Sequence, residues 1–254
     1  MNRYERLTAL LELLAERGRI EVEEIAEELA VSAATIRRDL DHLAEQQLLT
    51  RTRGGAVAHA VSYDLPLRYK TARHADAKLR IARAAATLVD KGAVVGLNGG
   101  TTATEVARAL AARADLDLTI VTNALNIANE LAVRQQIKLV VTGGVVRPQS
   151  YELIGPLARL IPEELTLDVT FLGVEQVDPT AGASARNEGE AAINRLLAER
   201  SGRVVVVADS SKLGGSAFVR ICPTEQISGL ITDADADEAV VREFRDHGVD
   251  VLQV

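Results

Sequence analysis

Residues Val31 to Leu40 read V-S-A-A-T-I-R-R-D-L, directly behind an apolar stripe of Ile25, Ala26 and Leu29. A short helix, a tight turn and a second helix opening on a hydroxyl are the local fold this order demands. Ser32 is placed as a cap, because its hydroxyl can accept from the free amides of the next turn. Ile36, Leu40 and Leu43 recur at helical spacing and face inward. That leaves Arg37, Arg38 and Asp41 on or near the outer surface. Upstream, Leu7, Leu10, Leu11 and Leu14 form another apolar helical face, which Gly18 ends. The middle helix, Val22 to Leu29, carries Glu23, Glu24, Glu27 and Glu28 on its outer side. That acidic face is expected to point away from phosphates.

A helix of this kind fits the major groove of DNA, and side chains near its N-terminus reach base edges. Ser32 and Thr35 can bond phosphate or base, and Arg37 or Arg38 can pair with guanine or grip phosphate. Thr50 to Ala58 then reads T-R-T-R-G-G-A-V-A, a short hairpin about Gly54-Gly55. This wing places Arg51 and Arg53 on one face of its first strand, suited to phosphate or to a narrow minor groove. A plain three-helix packing module with solvated arginines is the alternative. Cap, paired arginines and Arg-rich hairpin in that order favour DNA.

The 254 residues carry a net charge of −7. A coat for nucleic acid would be basic, so any DNA contact must be local. A membrane-surface role would also want a basic face, and no apolar run reaches the ~18 residues of a membrane span. Met1 to Leu7 lacks the apolar run of a secretory signal. One cysteine, Cys222, excludes an internal disulfide and fits a reducing cytoplasm as a small buried residue. His42, His59, His74 and His247 are scattered, so neither a metal nor a cofactor is expected.

From Lys78 the pattern alternates helix and strand. Helices are expected over Leu79 to Val89, after Asn98 to Thr102 and through Leu110, from about Asn126, and over Glu188 to Arg200. Strands are expected over Ala93 to Leu97, Leu118 to Thr122, Lys138 to Thr142, Val169 to Gly173, Arg203 to Ala208 and Gly229 to Thr232. Such alternation implies a mainly parallel sheet covered on both faces. The expected organisation is a winged helix-turn-helix over 1–58, a linker over 59–76 into which Leu65, Leu67 and Tyr69 bring some docking, and a Rossmann-like α/β effector domain over 77–254.

Between a strand and a helix stands N-G-G-T-T, Asn98, Gly99, Gly100, Thr101 and Thr102. Glycines let backbone amides approach an anion, and the helix N-terminus adds positive potential. The segment matches neither the P-loop nor the dinucleotide fingerprint. A monophosphate ester fits better, with a simple tight turn as the alternative. Other strand ends supply Asn123, Gly143, Gly144 with Arg147 after them, and Asp209 to Lys212. In a parallel sheet these ends share one edge, where ligands gather. Lys212 and Arg147 can meet phosphate; Glu188 and Asp209 can accept from sugar hydroxyls.

Residues 3–58, with R-Y-E-R-L, the V-S-A-A-T-I-R-R-D-L turn and helix, and the R-T-R-G-G-A wing, resemble the N-terminal domain of the DeoR family of bacterial transcription regulators. Residues 78–254 resemble that family's effector domain, which is similar to ribose-phosphate isomerase. The matching pieces are Gly99 to Thr102, Val121 to Asn123, Gly143-Gly144, Phe171 to Val174, Asn187 to Glu190 and Asp209 to Lys212. Asn98 stands where an acidic residue is usual. Glu175 to Asp178 replaces a Gly-Ile-Asp-like run, and Ala183-Ser184 replaces a Thr pair. The resemblance implies that this half senses a phosphorylated sugar and forms a homo-oligomer, dimer or tetramer. It implies a carbohydrate-gene regulator, by preference a repressor, with operator DNA and a sugar phosphate as partners. An isomerase with an accessory N-terminal domain would need Glu188, Asp209 and Lys212 as acid–base groups. The lack of a dense acidic cluster argues against it. An adaptor that binds protein through the winged module leaves the arginines unexplained.

Overall fold

The computed structural model describes residues 1–58, 66–71 and 73–254. His59 and Leu65 of the expected linker lie outside the described residues. The chain divides into two compact units, Met1–Arg73 and His74–Val254.

In the first unit, α1 (Arg3–Arg17) starts on Asn2, which exchanges hydrogen bonds with Glu5 in a capping box. Leu10, Leu11 and Leu14 are fully buried. Each contributes roughly 1.5–3 kcal/mol of burial. Gly18, at φ 71°, ends the helix and donates to Leu14 O. A strand that the sequence did not announce follows, β1 (Arg19–Glu21), then α2 (Val22–Glu28) and α3 (Ala33–Glu45). The wing consists of β2 (Thr50–Thr52) and β3 (Gly55–Val57), and β3 sits between β1 and β2 in the sheet. Thr52 pairs with Gly55, so the turn is Arg53-Gly54, one residue earlier than expected. Arg53 is therefore in the turn and not on a strand face beside Arg51. Gly55 belongs to the strand because a Cβ there would overlap the carbonyl of Ile20 on β1.

Part of the expected linker is structured. Helix α4 (Leu67–Lys70) buries Leu67 and Tyr69. Tyr69 joins the first unit's core, stacks on Tyr4 at 5.9 Å and donates to Gln46 Oε1 at 2.7 Å. Residues 66–71 and 73 thus belong to this unit.

The second unit begins with α5 (Ala75–Thr87), four residues ahead of the expected start. It continues through β4 (Val94–Leu97), α6 (Thr101–Ala111), β5 (Leu118–Thr122), α7 (Leu125–Leu131) and β6 (Ile137–Val141). A small hairpin, β7 (Val145–Val146) and β8 (Leu153–Ile154), precedes β9 (Leu167–Leu172). Then come β10 (Gln176–Asp178), β11 (Gly182–Ala185), α8 (Glu188–Glu199), β12 (Ser201–Val207), β13 (Val219–Cys222), β14 (Gly229–Thr232), α9 (Glu238–Asp246) and β15 (Asp250–Gln253).

Seven strands form one sheet in the order β15-β14-β12-β9-β4-β5-β6, and every pairing is parallel. Alternation puts Val205 and Val207 into a core with α5, α6 and α7 residues, and Val204 and Val206 into a second core with α8 and α9 residues. The sheet is therefore covered on both faces. From β4 the chain winds one way to β5 and β6, then returns to β9 and winds the other way. The switch between β4 and β9 is where a doubly wound sheet opens a crevice at its carboxyl edge. The small antiparallel sheet β10-β11-β13, helix α9 and edge strand β15 had no forecast in the sequence pattern.

Candidate functional site

The first candidate site is the outer face of α3. Thr35 N donates to Ser32 Oγ at 3.2 Å, and the two hydroxyls lie 2.8 Å apart. Both expected hydroxyls are thus engaged in the cap while remaining at the surface. Ile36, Leu40 and Leu43 are fully buried. This points Arg37 and Arg38 outward, and both are exposed. Between those faces, Asp39 is buried and accepts from Arg6 Nε, which ties α1 to α3.

The charges here are less free than the sequence implied. Arg37 Nη2 donates to Glu23 Oε1 at 2.6 Å. The acidic side of α2 therefore does not turn wholly away, because Glu23 reaches onto α3. Arg51 Nε donates to Asp41 Oδ1 at 2.8 Å, and its Nη1 bonds Gly55 O. Arg38 and Arg53 are exposed and have no ion-pair partner among the described residues. No helix among the described residues is long and apolar enough to cross a membrane.

The second candidate site lies in the second unit, at the carboxyl edge of the sheet. The loops after β4, β5, β6 and β12 share that edge, as expected for Asn98 to Thr102, Asn123, Gly143-Gly144 and Asp209 to Lys212. Gly100, at φ 109°, leads into α6, which has no side-chain cap. The amides of its first turn, from Thr101 onward, are therefore donors without helical partners. Next to it, Gly99 answers a steric need: a Cβ there would lie 2.4 Å from Glu152 Cγ and 2.7 Å from its carboxyl carbon.

Asn98 is engaged within the fold. Its Nδ2 donates to Gly173 O at 2.9 Å, and its Oδ1 accepts from Gly173 N at 2.8 Å. It is buried and stitches β4 to β9 across the switch point. A carboxylate could accept from Gly173 N but could not donate to its carbonyl. The Asn in place of the usual acid thus serves that bridge.

Asn123, fully buried, donates to Glu152 Oε2 at 2.8 Å, while its own Oδ1 has no partner. Arg147 turns inward and pairs with Glu190 at 3.0 Å. Glu152 is the centre of this cluster and was not foreseen. Burial pushes its carboxyl up to about 8, and the charge of Glu190 adds to the rise; Asn123, Asn194 and Arg147 pull the other way. Nothing in Y-E-L-I-G, residues 151–155, distinguishes it from a surface acid. Of the two acids in N-E-G-E, Glu188 is exposed, and Glu190 is the one facing Arg147. Asn187 caps α8 by accepting from Glu190 N at 3.1 Å.

Near β12, Asp209 is buried and takes the Ser211 hydroxyl. Lys212 Nζ lies 3.6 Å from Glu175 Oε1, which also accepts from Arg186 Nε at 2.9 Å. Glu175 thus sits over the cation expected to meet phosphate. Cys222 is buried, with its thiol pushed up to about 11 by burial, as suits an inert core residue.

The first unit thus carries an arginine-bearing helix and wing, and the second carries polar loops at the carboxyl edge of its sheet. Residues 6–60 match the DeoR-like helix-turn-helix domain, and residues 73–234 match the DeoR C-terminal sensor domain. The chain is 34% identical over 253 residues to a putative aga operon transcriptional repressor of Escherichia coli O157:H7, covering 98% of this chain and 93% of that protein. It is 32% identical to the glycerol-3-phosphate regulon repressor of Escherichia coli K12, covering 98% of each. Among solved structures, a ribose 5-phosphate isomerase A from Methanocaldococcus jannaschii is 25% identical over 55% of each chain, with a TM-score of 0.42. The chain belongs to the DeoR family and is a DNA-binding transcriptional regulator, not an enzyme.

Proposed function

We propose that this regulator represses carbohydrate-metabolism genes and that a phosphorylated sugar or polyol alters its hold on operator DNA. The observation that carries the ligand reading is the N-G-G-T-T turn at the switch point. There the uncapped start of α6 offers amides to an anion, with Lys212 as a further cation. Thr101, Thr102, Gly143, Gly144 and Asp209 complete the proposed pocket wall, with Glu152 and Asn123 beneath it. Asn98, Arg147 and Glu188 are assigned to the frame and the rim, not to ligand contact. Both relatives named above are operon or regulon repressors, one named for glycerol 3-phosphate.

On the DNA side, α3 enters the major groove, with Arg38 and Arg37 reaching bases or phosphate. Arg53 at the wing tip and Arg51 behind it meet the backbone. Ser32 and Thr35 lie at the helix start, where phosphate contacts form. The protein acts as a homo-oligomer on paired half-sites. Fluorescence anisotropy on DNA from upstream of the protein's own gene, followed by titration with sugar phosphates, tests all of this. Tight, salt-sensitive binding changed by one phosphorylated sugar is the expected result. Tight binding indifferent to every phosphorylated sugar and polyol would refute the ligand assignment.

A further inference from the structure

The segment from β7 to β9 presents a surface unlike the rest of the second unit. Val145 and Val146 form a strand whose side chains are both exposed, at 62% and 45%. After β8, a helical turn buries Ala158 and Pro162. It leaves Leu157, Leu160 and Ile161 outside, 62%, 61% and 40% exposed. The three stand within a five-residue stretch that runs from one 3-10 turn to the next, and all three are apolar although they face solvent. The two pieces are neighbours. A Cβ on Gly144 would touch Ala158 Cβ at 2.8 Å, which sets Val145 beside the turn.

At these exposures the five side chains offer on the order of 400–500 Å² of apolar surface, in the upper range for the largest patch on a monomer. Among the described residues β7 pairs only with β8, so its other edge is open. An open edge is a template for another strand.

We propose that this patch is where a second copy of the chain docks, the two β7 edges meeting about a two-fold axis. The inference rests on the reading that the regulator works as an oligomer, and it names the surface. An antiparallel meeting of identical edges is self-complementary, as a two-fold contact requires. The aliphatic area supplies about half of the roughly 800 Å² that each partner buries in a standard interface, with the rest falling on the rim. The same hairpin carries Arg147 and Glu152 toward the candidate ligand site. Subunit contact and ligand site therefore share one small element.

The test uses the full chain without DNA or ligand, so its outcome is independent of operator binding. In sedimentation velocity the wild type runs as a dimer or larger. The double variant Leu157→Glu, Leu160→Glu, at exposed positions that leave the core alone, associates at least tenfold more weakly, with its thermal melt unchanged. A monomeric wild type, or a double variant with unaltered assembly, overturns the proposal. Val146→Cys gives a second readout, since the native Cys222 thiol is buried. Mild oxidation should link Val146→Cys chains into covalent dimers much faster than Val133→Cys chains, a control at a position 77% exposed. Equal rates, or no linkage at all, overturn it as well.

Discussion

Replacing Glu152 by Gln should make the protein more stable at alkaline pH and should flatten its pH dependence. The carboxyl is 4% exposed and rises from the ordinary glutamate value of 4.5 to about 8 in the fold. A carboxyl whose folded value lies above its unfolded value binds its proton more tightly in the native state. Folding stability is then fully present below about pH 4.5 and is lost as pH rises through 8. The full shift corresponds to a ceiling of about 5 kcal/mol. The nearby charges of Glu190 and Arg147 act on the same carboxyl in opposite directions, so the observed loss falls below that ceiling, on the order of 2–3 kcal/mol. Gln keeps the shape and an acceptor for Asn123. Its amide can donate to an Asn123 or Asn194 carboxamide turned over, whose oxygens have no partner now. Urea denaturation of both proteins at pH 5 and pH 9 measures the effect. Wild type should lose about 2–3 kcal/mol relative to Glu152→Gln between the two. A difference that stays constant within about 0.5 kcal/mol would mean that Glu152 is charged throughout, and the reasoning from burial would fail.

Arg38→Ala should weaken operator binding by about 1–3 kcal/mol if it reads a base; binding by anisotropy that matches wild type would remove it from the interface. Gly99→Ala forces a methyl into the Glu152 carboxyl. It should cost about 1–3 kcal/mol in urea denaturation, and an unchanged midpoint would contradict the packing. Glu175→Gln removes the carboxylate shared by Lys212 and Arg186. Calorimetry should then show inorganic phosphate binding several-fold more tightly, whereas unchanged binding would place the anion away from Lys212.

The parts legible in the sequence were those encoded locally. Ser32, Ile36, Leu40 and Leu43 define α3 within a dozen residues, and a valine-rich run such as 203–207 reads as a buried strand wherever it stands. Strand β1 was not legible. Three residues carry no periodicity, and its partner β3 lies about 35 positions away, admitted by the missing Cβ of Gly55. The same limit hid β15, whose alternating Asp250-Val251-Leu252-Gln253 befits an edge. At the candidate ligand site the sequence pattern pointed to the loops at the carboxyl edge of the sheet, but the partners of individual side chains there were not legible in it. Asn98 and Arg147 looked like ligand contacts because polar groups at strand ends usually face solvent. Here Gly173 and Glu190, 75 and 43 residues away, claim them. Glu152 looked like nothing, because burial of an acid is decided by what packs over it.

The charge pattern explains how an acidic chain can serve as an operator-specific protein. Two of the four candidate DNA-facing arginines are held by acids of the same unit, Arg37 by Glu23 and Arg51 by Asp41. These pairs are solvent-exposed on the acidic side and are worth about 0–1 kcal/mol each. A phosphate at the right place can displace the carboxylate at little cost. A phosphate at the wrong place finds a cation already neutralised, beside a chain of net charge −7. On the proposed interface, non-specific attraction, which grows with every phosphate neutralised, would then draw mainly on Arg38 and Arg53. Base contacts and half-site geometry gain weight in proportion. On the proposed DNA contact, an acidic composition becomes a means of discrimination, because the carboxylates would subtract from all DNA equally while correctly spaced contacts would restore binding at the operator.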